Sequence, residues 1–277
     1  MDLSKAHGAK RLARQDDWIE PLARLGYTAK GIVYGLVGVL AVRAAIGSGG
    51  STSGSTGALR TIEAQPFGRI LLGLTAVGLL GYAVWRLAQA VRDPDREGTD
   101  AKGMMKRIAY GVSGLIYVGL AFLAGRMALS SGSGGGGASR QTWTAQLLAQ
   151  PFGQWLVGLV GLVIVAVGLF HFYQVYTASF MRRYEVGGMD ARERTWARRI
   201  GQFGLGARGV TFCIIGGFFL QAALQSDADE ARGLGAAFDT LARQPFGKWL
   251  LALVAAGFVA YGVYCFSRAR YRRFATG

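Results

Sequence analysis

The tetrapeptide Gln65-Pro66-Phe67-Gly68, followed by a long apolar run at 70–91, decides the fold of this chain. The same tetrapeptide recurs as Gln150-Pro151-Phe152-Gly153 and as Gln244-Pro245-Phe246-Gly247, each time ahead of another apolar run. The spacing between copies exceeds that of the common soluble solenoid repeats, so each unit must contain more than one small supersecondary element. The chain is therefore one unit used three times.

The composition and the length of the apolar stretches indicate a membrane protein. Of the 277 residues, 51% are hydrophobic, and the mean hydropathy is positive, at +0.28. Six stretches approach the roughly 20 residues that span hydrocarbon, and runs such as 156–170 are apolar on every face, unlike β-barrel strands. We therefore predict an all-α membrane protein whose six transmembrane helices lie at 28–46, 70–91, 109–129, 155–176, 209–224 and 249–266.

The basic residues orient the predicted helices. An even number of spans places both termini and the loops after the second and fourth helices on one side, which carries most of the 31 Lys and Arg residues. Because Lys and Arg accumulate in cytoplasmic loops, we predict a multi-pass membrane protein with both termini in the cytoplasm. The net charge of +15 then favours contact with anionic lipid headgroups on the cytoplasmic side rather than with nucleic acid.

The repeat divides the chain into segments. Each unit crosses the membrane twice, so successive units enter from the same side and the repeats are parallel, related by an axis along the membrane normal. Three such hairpins form either a pseudo-threefold bundle or a single file. The predicted segments are a polar cytoplasmic leader (1–21), repeat one (22–92), repeat two (93–177), a cytoplasmic linker (178–200), repeat three (201–273) and a tail (274–277).

The Gln-Pro-Phe-Gly motif is interpreted as a structural corner. Proline suits the first turn of a helix, since it lacks the N–H that would be unpaired there and its φ is fixed. The motif has no ionisable group, so we interpret its role as structural rather than chemical. We expect it to turn the chain into the membrane on the outer side. Short segments precede each copy, at 58–64, 141–149 and 234–242, and they are predicted to be interfacial helices or caps of the bundle.

Glycine and aromatic residues recur in register along the helices. Gly31, Gly35 and Gly38 form one stripe and Gly209 and Gly216 another, which favours close helix packing over a smooth path or lipid groove. The returning helices carry an aromatic stripe that fits a membrane-interface belt or, alternatively, a substrate cage. In aligned order it comprises Gly78, Tyr82, Trp85 and Gln89; Val163, Val167, Phe170 and Gln174; and Gly257, Tyr261, Tyr264 and Arg268.

Few polar groups stand out at membrane depth. His171, whose aligned partners are Arg86 and Cys265, is expected either to hydrogen-bond at the interface or to handle protons or a ligand. Arg43, Arg126 and Gln221 occupy equivalent outer positions, where they snorkel to headgroups or form a polar ring around a vestibule. Together with His171 they make a candidate polar path.

Catalytic, cofactor and metal sites are not predicted. No motif brings a nucleophile together with His and a carboxylate, and no glycine-rich phosphate loop follows a strand. His7 lies in the leader, away from His171, so a metal site is not expected. Cys213 and Cys265 lie within predicted spans and are expected to be free thiols.

The tract Leu22-Ala23-Arg24-Leu25-Gly26-Tyr27 and the threefold Gln-Pro-Phe-Gly motif resemble a bacterial membrane family called domain of unknown function 1206. The resemblance covers 22–273 and implies three copies of a two-helix transmembrane unit. It carries no catalytic or binding residues with it. At some aligned positions unit three differs from unit one, with Gln202 for Arg24, Leu205 for Tyr27 and Phe212 for Tyr34.

The predicted function is that of a non-enzymatic component of the bacterial cytoplasmic (inner) membrane with a structural, lipid-interacting or partner-binding role. Its expected partners are membrane lipids and an unidentified protein. The alternative is a channel or carrier for a small solute or ion along the pseudo-threefold axis, using His171, Arg43, Arg126 and Gln221.

Overall fold

The computed structural model describes residues 19–50, 52–93, 98–129, 145–150, 152–184 and 189–271. Six of its helices are long and apolar enough to cross a membrane, and the described residues form no β-strand. The predicted all-α fold of six transmembrane helices is confirmed. The helices are α1 (Ile19–Ala45), α2 (Gly54–Glu63), α3 (Gly68–Val91), α4 (Ala101–Leu129), α5 (Gly153–Thr177), α6 (Ala191–Gln225), α7 (Leu234–Ala242) and α8 (Gly247–Tyr271).

Successive repeats are joined by three equivalent helix contacts. The returning helix of each repeat packs against the first helix of the next, as α3 on α4 and α5 on α6, and α8 returns to pack on α1. A polar side chain at the same aligned position closes each contact by donating to a carbonyl near the end of the returning helix. The pairs are Arg107 to Ala90 O at 2.9 Å, Gln202 to Val175 O at 2.8 Å and Arg24 to Ala269 O at 2.6 Å.

Glycine lets the backbones approach at these contacts. A Cβ added to Gly31 would lie 3.0 Å from the carbonyl oxygen of Gly262, and one added to Gly209 would lie 3.2 Å from that of Gly168. The equivalent Gly114 faces the side chain of Leu87, at 2.9 Å. The prediction that the glycine stripes mediate close helix packing is confirmed.

Within repeats one and three, small residues also bring the two helices together. In repeat one, α1 packs on α3, and a Cβ on Gly26 would lie 2.5 Å from the backbone nitrogen of Tyr82. In repeat three, α6 packs on α8, and a Cβ on the equivalent Gly204 would lie 2.6 Å from the nitrogen of Tyr261. Likewise, a Cβ on Gly78 or on Gly257 would collide with the methyl of the facing alanine, Ala29 or Ala207 respectively.

Repeat two lacks this contact. The positions of Gly26, Ala29 and Gly78 are taken there by Ala109, Val112 and Val163, whose side chains would overlap at the same separation. Over the described residues α4 and α5 are not among the helix pairs that pack extensively, and Val112 and Val163 are 51% and 52% exposed. The six helices therefore form an arc in the order α4, α3, α1, α8, α6, α5, with an open seam between α4 and α5.

The Gln-Pro-Phe-Gly motif forms a turn ahead of each returning helix. Gly68, Gly153 and Gly247 donate their N–H to the carbonyls of Gln65, Gln150 and Gln244, each at 2.8 Å. The second residue after each Gln has a positive φ, 61° at Phe67, 63° at Phe152 and 59° at Phe246, which is the pattern of a type II turn.

The expectation that proline opens the helix is wrong. Pro66 and Pro245 lie inside the turn, where a fixed φ suits the position after the Gln, and the helix begins at the glycine. Pro151 lies outside the described residues. Each glycine is required because an added Cβ would fall on a carbonyl oxygen of the preceding segment, at Glu63, Leu147 or Ala242.

The short helices α2 and α7 close one end of the bundle, here called the distal end; the other is the termini end. Helix α2 packs on α1 and α3, and α7 packs on α6, α8 and α2. Leu59 of α2 and Phe238 of α7 are fully buried, so these helices cap the bundle. Of the remaining predicted segment, at 141–149, residues 145–148 are helical and 141–144 lie outside the described residues.

Candidate functional site

The interior of the bundle is apolar in its distal half and polar nearer the termini end. Helices α1, α3 and α8 contribute fully or nearly fully buried apolar side chains to the distal half, including Val37, Leu72 and Leu251. The termini half instead contains four basic side chains, here called the basic cluster: Lys30, Arg86, Arg208 and Arg268. Seven tyrosines lie around them, namely Tyr27, Tyr34, Tyr82, Tyr110, Tyr117, Tyr261 and Tyr264.

Lys30 and Arg86 share one phenol oxygen. Lys30 is 3% exposed, and its ammonium donates to Tyr82 Oη at 2.9 Å. Arg86 Nε donates to the same oxygen at 2.8 Å, and its Nη1 donates to Gln89 at 3.0 Å. Tyr82 therefore holds two cations from neighbouring helices close to one another.

Arg208 is the least satisfied member of the cluster. It is 7% exposed, and its guanidinium lies over the rings of Tyr261, Tyr34 and Phe212, at 4.4, 5.0 and 5.0 Å. Its Nε and Nη1 are buried and have no hydrogen-bond acceptor among the described residues. Because a buried charged donor without an acceptor is costly, this side chain requires an acceptor.

Arg268 lies nearest the termini end. Its guanidinium lies 4.7 Å from the centre of the Tyr27 ring and 5.6 Å from that of Tyr264, and its buried Nε has no acceptor among the described residues. Phe180 and Tyr184, on the segment after α5, pack on Tyr264 at 5.5 and 6.3 Å. Burial raises the pKa of the Tyr184 phenol, so this covering group is neutral at physiological pH.

The repeat itself assembles the site. Lys30, Ser113 and Arg208 occupy one aligned position, and Tyr34, Tyr117 and Phe212 occupy another, one turn further along each first helix. Tyr117 donates to Tyr34 Oη at 3.2 Å, and its ring lies 5.0 Å from the Lys30 ammonium. Contacts among α1, α3, α4, α6 and α8 at one centre require a curved arrangement, which favours the pseudo-threefold bundle over a single file.

Over the part of the chain that the structure describes, no carboxylate balances the basic cluster. The sequence has no Asp or Glu at 21–62, 64–92, 101–184, 194–226 or 240–277. Arginine does not lose its proton in proteins, so at least three positive charges lie in the cluster, and the side chains of Lys30 and Arg208 are buried. Ring faces contribute about 2 kcal/mol to a desolvated cation, whereas burying an ion costs several kcal/mol. The arrangement therefore suits an anion bound among the cations and phenols.

The residues of the candidate polar path are separated. His171 lies in the termini half of α5, where its Nδ1 is 2.7 Å from Val167 O and its ring stacks on Phe212 at 5.5 Å. Arg43, Arg126 and Gln221 are exposed near the distal ends of α1, α4 and α6. The structure does not bring them together with His171, and their role in a path stays a prediction.

The aromatic stripe of the returning helices faces the site in two repeats. Tyr82, Trp85, Tyr261 and Tyr264 are at most 4% exposed, so the interpretation as a lipid-facing belt is wrong for repeats one and three. Phe170 of repeat two is 45% exposed. The difference follows from the open seam, which leaves this face of α5 uncovered.

Sequence reasoning missed Lys30 and Arg208 as site residues. The signal was present in the repeat alignment, since two of the three residues preceding the aligned glycines Gly31, Gly114 and Gly209 are basic. Basic residues within a span mark functional positions. The prediction of free thiols at Cys213 and Cys265 is confirmed.

Comparison with known proteins agrees with the repeat. The family model described as Domain of Unknown Function (DUF1206) matches three times, at residues 25–93, 108–178 and 203–272. A relative from Bacillus subtilis (strain 168), named "Uncharacterized protein YxxB", is 37% identical over 255 residues, which are 92% of each chain. No solved structure matches the chain. The chain thus belongs to the DUF1206 family of membrane proteins with three two-helix repeats.

Proposed function

We propose that this protein is a non-enzymatic component of the bacterial cytoplasmic membrane, with both termini inside, that binds an anion in its basic cluster. The observation that carries the proposal is Arg208, a buried guanidinium with two donor nitrogens and no acceptor among the described residues. An oxyanion at this place would satisfy those donors and balance the charge of the neighbouring Lys30.

The chemistry of the lining supports an oxyanion. Guanidinium groups present paired donors that match phosphate and carboxylate oxygens, and the ammonium and phenol groups add single donors. Charge-assisted hydrogen bonds of this kind are about twice as strong as neutral ones. Phosphate or a phosphate ester is therefore the ligand chemistry that the site fits best.

The apolar distal half supports binding rather than passage. Beyond the basic cluster the axis is filled by buried apolar side chains, among them Val33, Leu79 and Phe258, and α2 and α7 cover that end. An ion moving along the axis would lose its hydrogen-bond partners there, at a large cost in free energy. We therefore favour a binding role over the channel or carrier.

Thermal unfolding in a neutral detergent tests the anion site. Inorganic phosphate is the probe, with chloride at equal ionic strength as the reference. A ligand at 100 times its Kd stabilises by about 2.7 kcal/mol, which corresponds to a rise in Tm of about 5–10 °C for a chain of this size. We expect a saturable rise for the wild-type protein.

Arg208→Gln and Arg43→Gln form the matched pair. Arg208→Gln should lose most of the response to phosphate, yet it should be at least as stable as wild type without phosphate, because it relieves repulsion among buried cations. Arg43→Gln removes an exposed charge at the distal end and should respond like wild type. An equal response in all three proteins, or none beyond chloride, would refute the proposed site.

A further inference from the structure

We infer that the anion bound by the basic cluster is the phosphodiester headgroup of an anionic lipid, which enters from the bilayer through the seam between α4 and α5. The inference rests on the proposed anion site and adds the source of the anion and its route. It follows from which sides of the cluster are closed and what lines the open one.

Packed elements close the cluster within repeats one and three, at the distal end and at the termini end. The seams within repeats one and three are sealed by backbone contacts at Gly26 and Gly204. The distal side is filled by the apolar core beneath α2 and α7. On the termini side, Phe180 and Tyr184 are 5% and 1% exposed and pack on Tyr264. Over the described residues, the α4–α5 seam is the side where this packing is missing.

The seam opens at the depth of the cluster. Val112 directly precedes Ser113, the position equivalent to Lys30 and Arg208. Tyr117, one turn further along α4, donates into the cluster through Tyr34. Across the seam, His171 stacks on Phe212, whose ring also contacts the Arg208 guanidinium. Helices α4 and α5, which form the two ends of the arc, therefore border the place proposed for the anion.

The lining of the seam fits an acyl chain that lies on the distal side of a charged headgroup. Val112, Ile116, Leu159 and Val163 are 51%, 64%, 57% and 52% exposed and offer an apolar surface at membrane depth. Two half-buried residues supply polar groups: Ser113 lies at the depth of Val112, and His171 lies further toward the termini end. An amphiphile can fill both parts at once, whereas a free anion would have to cross hydrocarbon to use this route.

Charge complementarity selects an anionic lipid. A zwitterionic headgroup brings its own cation into a site that already holds at least three positive charges without a carboxylate. An anionic phosphodiester brings one negative charge and several acceptor oxygens to the unpartnered nitrogens of Arg208. Phosphatidylglycerol meets this description and serves as the probe, with phosphatidylcholine as its zwitterionic reference.

Native mass spectrometry of the delipidated protein, titrated with each lipid, tests the inference. We expect one tight phosphatidylglycerol site and none for phosphatidylcholine. Val163→Trp places a large ring in the seam, and Leu169→Trp, a similarly exposed position two residues from Val167 and thus on the opposite face of α5, is its matched control. Val163→Trp should weaken phosphatidylglycerol binding by about tenfold or more, while Leu169→Trp binds like wild type.

A second variant keeps the test decisive if the tryptophan disturbs folding. The triple change Ala109→Gly, Val112→Ala and Val163→Gly restores the small residues of repeats one and three, so that α4 and α5 can pack and shut the seam. It should lose tight phosphatidylglycerol binding yet still unfold cooperatively without lipid, which excludes misfolding as the cause of the loss.

The outcomes separate the lipid inference from the anion site. If phosphate raises the Tm of the wild-type protein but phosphatidylglycerol binds no better than phosphatidylcholine, or binds equally well after the seam is shut, the lipid route is wrong and the anion site stands. If neither phosphate nor phosphatidylglycerol binds in an Arg208-dependent way, both proposals fail. Phosphatidylglycerol binding that is lost in Arg208→Gln and in both seam variants supports both.

Discussion

At the level of single residues, the Gln-Pro-Phe-Gly motif combines a strained backbone at its phenylalanine with close packing at its glycine. Phe67, Phe152 and Phe246 adopt a left-handed backbone, which costs a non-glycine residue about 1–2 kcal/mol. Their rings are 79%, 77% and 82% exposed, so packing inside the protein does not repay that cost. We expect the membrane–water interface at the distal end to offset it, because aromatic rings are favoured there.

The glycine of the motif gives a direct prediction. Gly68→Ala should lower stability by about 1–3 kcal/mol, because the new methyl overlaps a carbonyl oxygen at Glu63. Gly73→Ala is the control on the same helix, since nothing lies within 4 Å of its added Cβ, and it should gain up to about 1 kcal/mol. Thermal unfolding in detergent measures both, and equal effects would contradict the turn described here.

The contact between repeats gives a second prediction at this scale. Arg107 donates to Ala90 O and Val91 O at the end of α3, both at 2.9 Å, so Arg107→Ala should cost about 1–3 kcal/mol. Because Gln202 makes the equivalent contact in repeat three, Arg107→Gln should recover part of that loss. Thermal unfolding of the three proteins tests this, and equal Tm values for the Ala and Gln variants would argue against a shared role.

At the scale of helix pairs, three small side chains decide whether a repeat closes. Gly26, Ala29 and Gly78 close repeat one, and the bulkier Ala109, Val112 and Val163 leave repeat two open. These substitutions are visible in the repeat alignment. The opening of the α4–α5 seam was not predicted from the sequence. Facing residues such as Val112 and Val163 lie far apart in the chain, and either one alone looks like an ordinary apolar substitution.

The glycine contact between α6 and α8 gives a prediction for repeat three. Gly257→Val should lower stability by about 2–3 kcal/mol, since its side chain would overlap Ala207 on the facing helix. Gly217→Val is the control, because no atom lies within 4 Å of its added Cβ, and it should change stability by less than about 1 kcal/mol. If thermal unfolding finds Gly257→Val as stable as Gly217→Val, the account of the α6–α8 contact is wrong.

At the scale of the whole molecule, hydrophobic length and the repeat were enough to predict the six helices and their parallel order. The basic cluster was not predicted, because its members come from α1, α3, α6 and α8 and only the curvature of the arc brings them together. His171 was singled out from its chemistry alone, whereas Lys30 and Arg208 gain their significance from being aligned across repeats.

The predicted orientation is tested by labelling single cysteines in a protein with Cys213 and Cys265 replaced by Ala. Cysteine at Ser48, in the exposed loop after α1, should react with a membrane-impermeant maleimide in intact cells. Cysteine at Thr99, in the exposed loop between α3 and α4, should react only after permeabilisation, since the more basic side is expected to be cytoplasmic. The reverse pattern would invert the topology.

A cryo-electron microscopy structure of the protein in nanodiscs containing phosphatidylglycerol would show whether the basic cluster holds an anion. We expect non-protein density at charge-assisted hydrogen-bond distance, about 2.7–2.9 Å, from the Arg208 guanidinium, continuing between α4 and α5 toward the bilayer. Water alone beside Arg208, with α4 and α5 packed as tightly as α1 and α3, would refute the proposed anion site and its lipid route.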